Sequence, residues 1–347
     1  MPLQRAIPLS VLDLAPVSEG SRPGDALRNS TELVQRAEGW GYKRLWVAEH
    51  HNMPGIASSA PAVVLAHLAS ATERIRLGSG GVMLPNHAPL AVAEQFGTLV
   101  ALHPGRIDLG LGRAPGTDQL TAAALRRSTD LRGGDDFAPM LGELLAFFDG
   151  SFPEDHPYHR IHAVPGEGDK PAIWLLGSSG YSAQLAGILG LPFAFAHHFS
   201  AANTLPALAL YRDHFKPSDT LSEPYAMIGA AVVVADTDEE ARYLHGSSQL
   251  QMLRLRTGRP GRVPSPQEAA EYHFTPMEKE TVRAATGSHI VGSPATVTEG
   301  LDRLIEETGV DEVIVTSGAW DHKARLHSFE LLAELAGLGE LAEPDLA

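Results

Sequence analysis

Short apolar runs alternate with longer segments of helical periodicity along nearly the whole chain. Ile7–Asp13, Arg44–Glu49, Ile75–Met83 and Arg106–Leu111 read as strands, separated by helices over Asp25–Trp40, Ser58–Thr72 and Pro89–Leu102. Ser58 or Ser59 can cap the second helix, with Pro61 in its first turn, and Pro104-Gly105 stops the third. Periodicity weakens over Arg113–Asp136, returns as a helix over Phe137–Phe148, and lapses into a Pro-, His- and Gly-rich loop over Asp149–Lys170. Strands resume at Ala172–Leu176, Phe193–His197, Met227–Ala235 and Glu312–Thr316, and helices at Tyr181–Leu189, Asn203–Phe215, Glu239–Leu255, Thr296–Glu307 and His322–Leu338. Thr257–Thr286 is a polar, Pro-rich excursion. Strands joined by helical crossovers are parallel. Eight of them predict an α/β fold, a (β/α)8 TIM barrel forming a single unit over residues 1–347, with insertions near 114–170 and 256–290. A doubly wound open sheet is the alternative that the strand count disfavours.

Composition narrows the function classes. Among 347 residues, 27 Lys and Arg stand against 42 Asp and Glu, a net charge of −15, so a nucleic-acid partner is not expected. The absence of cysteine excludes disulfides, zinc–thiolate sites, thiol nucleophiles and Fe–S clusters. No run approaches the ~20 apolar residues of a membrane span. Met1–Asp13 has no basic region followed by a long apolar stretch. The expectation is a cytoplasmic enzyme with no membrane partner.

In a barrel of this kind the site lies at the C-terminal ends of the strands. The second strand ends in Glu49-His50-His51, whose alternation puts the two imidazoles on opposite faces. Glu49 and His51 are the only same-face pair there, too few for a metal site, and none is expected. One histidine remains as a proton donor or hydrogen-bond partner, unless the segment is only a polar strand end. Gly78-Ser79-Gly80-Gly81 and Gly110-Leu111-Gly112-Arg113 bare the backbone at the third and fourth strand ends. That fits either a packing bulge or a wall for a flat ring. Gly177-Ser178-Ser179-Gly180 leads from the fifth strand into a helix, a junction that can cradle phosphate or can simply cap the helix with Ser178. His197-His198 adds imidazole to the same rim. Gly-x-Ser-x-Gly elbows and Rossmann fingerprints are absent.

Taken together, RLWVAEHH (Arg44–His51), GSGGVMLPNHAPLAVAEQFGTLVALHPGRIDLGLGR (Gly78–Arg113), WLLGSSGYSAQLAGILGLPFAFAHHF (Trp174–Phe199) and VGSPATVTEGLDRLIEETGVDEVIV (Val291–Val315) resemble the bacterial luciferase-like flavin monooxygenases, in the group similar to the luciferase α subunit. The resemblance implies reduced FMN, O2 and a small organic substrate, with flavin supplied by a separate flavin reductase. It implies that Gly80-Gly81 (often a cis peptide in the family), Gly112 and Arg113 face the flavin. It further implies that Gly177, Ser178, Ser179 and Tyr181 form its phosphate loop, that His50 is catalytic, and that the chain is a homodimer. Gly112 stands where luciferase α subunits carry a cysteine, and Gly177 where they carry an acidic residue, which speaks against light emission. F420-dependent oxidoreductases share the barrel and are the enzymatic alternative, with a non-catalytic flavin-binding subunit as the other.

Overall fold

The computed structural model describes residues 2–126 and 136–339. Its strands are β1 (Leu9–Asp13), β2 (Arg44–Val47), β3 (Arg76–Met83), β4 (Ile107–Gly112), β5 (Ala172–Gly177), β6 (Phe193–Phe195), β7 (Ala226–Val234), β8 (Ile290–Gly292) and β9 (Glu312–Thr316). Strands β1 to β7 and β9 pair in parallel in the order β6-β5-β4-β3-β2-β1-β9-β7, and β6 also pairs with β7, which closes an eight-stranded barrel. Helices surround it, as the strand count predicts for a (β/α)8 barrel. The short β8 lies outside the closed ring and extends the far end of β7, matching Val232–Val234 to Ile290–Gly292.

Alternation along the strands sorts the core into two. Outward side chains such as Leu9, Val11, Leu45, Val47, Leu77, Leu109 and Val313 are buried against the helices. Inward ones fill the lumen: Leu12, Trp46, Trp174, Ala194, Met227 and Ile314 form one cluster, with the Trp46 and Trp174 rings edge to face at 5.2 Å. Nearer the N-terminal ends, the lumen holds a layer of charge. Arg44 bonds Asp108 at 2.7 Å and Glu312 at 2.8 Å. Arg76 and the Trp46 indole also donate to Asp108, and Ser10 and Tyr225 donate to Glu312. This layer and the tryptophans plug the bottom of the lumen.

Several elements differ from the sequence reading. The second helix spans Pro61–Ala69 and has Ala60 at its N-cap, without a side-chain cap bond. Ser58 instead donates to the Ala48 carbonyl and ties the end of β2 to the following loop. Strand β6 stops at Phe195, and His197 and His198 open a short helix, His197–Ser200. The excursion after residue 256 contains the helices Pro266–Glu271 and Pro276–Thr286, capped by Ser265 and Thr275. Among the described residues, no helix is long and apolar enough to cross a membrane.

Candidate active site

A cavity of about 870 Å³ opens over the C-terminal ends of the strands. Its wall includes His50, Gly80, Gly81, Gly112, Arg113, Gly177, Ser178 and Ser179, which brings these sequence-predicted residues into one space. Tyr181 stands outside that wall but touches it: its ring lies under the Arg113 guanidinium, 4.5 Å from the centroid.

Strand β2 ends at Val47, so Glu49, His50 and His51 lie in the loop that follows it rather than in the strand, and their side chains still take two directions. Glu49 turns away from the cavity and is fully buried. It accepts hydrogen bonds from His51 (2.8 Å), His87 (2.9 Å) and the Met83 N–H (3.0 Å). Burial alone would raise its pKa, but these donors outweigh it and hold the carboxyl below its ordinary range. The sequence reading had no signal for His87. His50 points the other way, into the cavity wall, with its backbone N–H on the Ser58 carbonyl. Its Nδ1 is buried and has no hydrogen-bond partner. Burial depresses its pKa, so the imidazole is neutral at pH 7.

The glycines of the floor are there for close packing. A Cβ at Gly81 would sit 2.6 Å from the Gly110 carbonyl oxygen, and one at Gly80 would sit 2.7 Å from Leu12 Cδ1. The β3–β4 register shifts between Gly80 and Val82, and the Gly80–Gly81 peptide is cis. The bulge and the bare wall are therefore one feature: strands too close for side chains leave backbone facing the cavity. Gly112 is similar, since a Cβ there would meet Met83 Sδ at 2.9 Å.

At the end of β5 the helix Gly180–Leu189 starts from Ser179, whose side chain makes no capping bond. Ser178 also leaves the helix uncapped; its carbonyl accepts from Ser200. The first-turn N–H groups thus have no side-chain partner from the cap. Arg113 adds a cation that pairs with no carboxylate among the described residues. An open helix N-terminus, unengaged serine hydroxyls and an unpaired guanidinium are what a phosphate group needs.

Sequence reasoning placed His198 at the rim but missed His245, His289 and Arg325 on the cavity wall. His245 and His289 line the cavity and bond each other, Nε2 to Nδ1, at 3.0 Å. His198 also lines it, donating from Nδ1 to the Gly229 carbonyl at 3.0 Å. Gly229 is bare because a Cβ would lie 2.8 Å from that nitrogen. Burial pushes His198, His245 and His289 each down to about 4, so all are neutral at pH 7. His197 faces away and bonds Thr204. Arg325 reaches the cavity from the last helix and pairs with Asp13 at 2.8 Å. Among the described residues no group of three or more His, Asp or Glu is arranged to hold a metal ion.

Comparison with known proteins places this geometry in a lineage. The profile of the luciferase-like monooxygenases matches residues 7–312. The chain belongs to the luciferase-like monooxygenase family. It is 49% identical to a luciferase-like monooxygenase of Escherichia coli (strain K12), covering 95% of this chain and 97% of that one. It is 37% identical to the N-acetyl-S-alkylcysteine monooxygenase of Bacillus subtilis (strain 168), covering 94% and 98%. The crystal structure of apo-MsnO8 superposes with a TM-score of 0.86 at 37% identity, over 96% of this chain and 98% of the other. More distant solved structures include an oxygenating constituent of 3,6-diketocamphane monooxygenase in complex with FMN (TM-score 0.72) and an F420-dependent secondary alcohol dehydrogenase (TM-score 0.70). At 20% and 15% identity these two share the fold.

Proposed function

We propose that this chain is a flavin-dependent monooxygenase that takes reduced FMN from a separate reductase and uses O2 to oxygenate a small organic substrate. The observation that carries the reading is the uncapped helix at Ser179, with the unpaired Arg113 beside it, on the same rim as a backbone-walled cavity. Ser178, Ser179 and the N–H groups of the first helical turn would hold the FMN phosphate, with Arg113 balancing its charge and Tyr181 fixing the guanidinium plane. Gly80, Gly81 and Gly112 would give the ring system a surface without side chains, and Gly177 belongs to the phosphate loop. Reduced flavin, when bound, supplies the electrons that activate O2. His50 lines the cavity, and its neutral imidazole can donate to or accept from a reacting group there. Leu12, Trp46, Ala194, Leu176 and Ile314 make the cavity's base apolar and keep it poor in water.

No dinucleotide fingerprint is present, so the chain itself has no assigned site for NADH. The test is NADH consumption in the presence of FMN, with and without an added flavin reductase. The reading expects consumption only with reductase. Substantial consumption without it contradicts the two-component scheme, and turnover only with reduced F420 moves the chain to hydride transfer. We further propose a homodimer through the helices Pro61–Ala69 and Pro89–Leu102, where Val63 and Leu102 are 70% and 65% exposed. Light scattering at micromolar concentration should give twice the chain mass of 37.0 kDa.

A further inference from the structure

The helix Asp238–Arg256 runs along one wall of the cavity. His245, Ser248, Met252 and Arg256 recur on it at intervals of three and four, with Gln251 and Leu255 beside them, and all six line the cavity. Burial falls along this stripe. His245 is 7% exposed, Ser248 and Met252 are half-buried, Leu255 is 39% exposed and Arg256 is exposed. The stripe therefore runs from the depth of the cavity at His245 to its mouth at Arg256. Arg254, one residue pair short of the end, fastens the helix to Glu19 of the β1 loop at 3.1 Å and also bonds Glu268.

The charges of the cavity wall are one-sided. No Asp, Glu or Lys lines it among the described residues, although the protein carries a net charge of −15. Three arginines do: Arg113, Arg256 and Arg325. Arg325 is neutralised by Asp13. Arg113 is taken by the cofactor phosphate, a step that rests on the function proposed above. His198, His245 and His289 add no charge at pH 7. One positive charge remains, on Arg256, which pairs with no carboxylate among the described residues. Met252 and Leu255 on the same helix give an apolar surface beside it, and Met53 and Ile56 add apolar side chains to the same cavity.

We propose that the substrate is a small molecule with an apolar body and a single carboxylate, held with the carboxylate on Arg256 at the cavity mouth and the body directed inward along Met252. A guanidinium fork matches a planar carboxylate with two parallel hydrogen bonds, and among the described residues no second unpaired cation lines the cavity beside Arg256 once Arg113 is engaged. Anchoring at the mouth sends the opposite end of the molecule toward His50 and His198, so Arg256 sets which substrates enter and which end is presented. It is a binding residue, remote from the reacting atoms.

The probes are octanoate and octanamide, which match in size and differ in charge, titrated by calorimetry into the full-length protein loaded with FMN and free of it. Octanoate should bind about tenfold more tightly than octanamide. Arg256→Gln should abolish that preference while leaving octanamide and FMN affinity unchanged; the residue is exposed, so folding is not at stake. Arg113→Gln should weaken FMN and leave the preference intact. Equal affinities, no binding of either probe at millimolar concentration, a preference that survives Arg256→Gln, or one lost in Arg113→Gln would each overturn the proposal. A protein that fails to bind FMN yet keeps an Arg256-dependent preference would refute the flavin reading alone.

Discussion

The two ends of the barrel lumen are built on opposite rules. At the N-terminal end, Arg44, Asp108, Glu312 and Ser10 are buried, Arg76 and Tyr225 half-buried, and all are mutually satisfied: each carboxylate oxygen there has a donor. At the C-terminal end several polar groups lack partners: the buried His50 Nδ1 is bare, the helix at Ser179 is uncapped, and Arg113 and Arg256 have no carboxylate among the described residues. A buried polar group without a partner costs stability, so the fold keeps such groups where something else completes them. The contrast teaches that charge in a barrel lumen is not by itself a sign of catalysis. Unsatisfied charge at the strand C-termini is the better indicator.

The sharpest way to break this contrast is to unbalance the closed end. Asp108→Ala strips Arg44, Arg76 and the Trp46 indole of a shared acceptor. Removing one member of a buried charge network costs about 3–5 kcal/mol, because the buried Arg44 left behind stays desolvated. Urea denaturation should show a loss of that size, and a change below about 1 kcal/mol would mean that the network is solvated or dispensable. His50→Ala should do the reverse. Folding and FMN affinity should stay nearly constant, while turnover falls by roughly 10²–10⁴, the range for loss of a general acid or base. A lowered melting temperature with normal turnover would make His50 a structural residue.

A subtler prediction concerns pH. His198, His245 and His289 are pushed down to about 4 in the folded protein, against 6.5 for an exposed imidazole. With folded pKa values below unfolded ones, the unfolded chain binds more protons in between. Their contribution to stability is therefore intact above pH 6.5 and is lost as pH falls toward 4. His289→Asn should reduce the slope of unfolding free energy against pH in that window by about 1.4 kcal/mol per pH unit, one proton's worth. An unchanged slope would show that His289 is protonated in the folded state or already solvated.

Much of this architecture is legible in the sequence, for reasons that also explain what is not. The eight barrel strands announce themselves because each is a short apolar run between helical patterns, buried on both sides except where glycine replaces a side chain. Strand β8 escapes notice because Ile290-Val291-Gly292 is too short to carry a period. The helices Pro266–Glu271 and Pro276–Thr286 escape because they are mostly polar, marked only by Ser265 and Thr275 as caps before Pro. The rim residues from His50 to Ser179 are found because they sit at strand ends, where the barrel rule directs attention. His245, Ser248, Met252 and Arg256 sit on a crossover helix instead, and the rule passes over them. Their spacing was visible, but a stripe of mixed His, Ser, Met and Arg does not look like a buried face until a cavity is known to lie against it. His289 and Arg325 come together with that wall only through tertiary folding.

The central claim, that the open end of the lumen holds FMN by its phosphate at the β5–helix junction, is tested most directly by one titration. FMN is added to the wild-type protein and to Ser178→Asp while flavin fluorescence is followed, with urea unfolding of both proteins as the control. A carboxylate placed at the helix N-terminus competes with the phosphate for the same N–H groups and repels it. The account predicts FMN affinity at least about tenfold weaker in Ser178→Asp, with an unchanged unfolding midpoint. Equal affinity in the two proteins would contradict it.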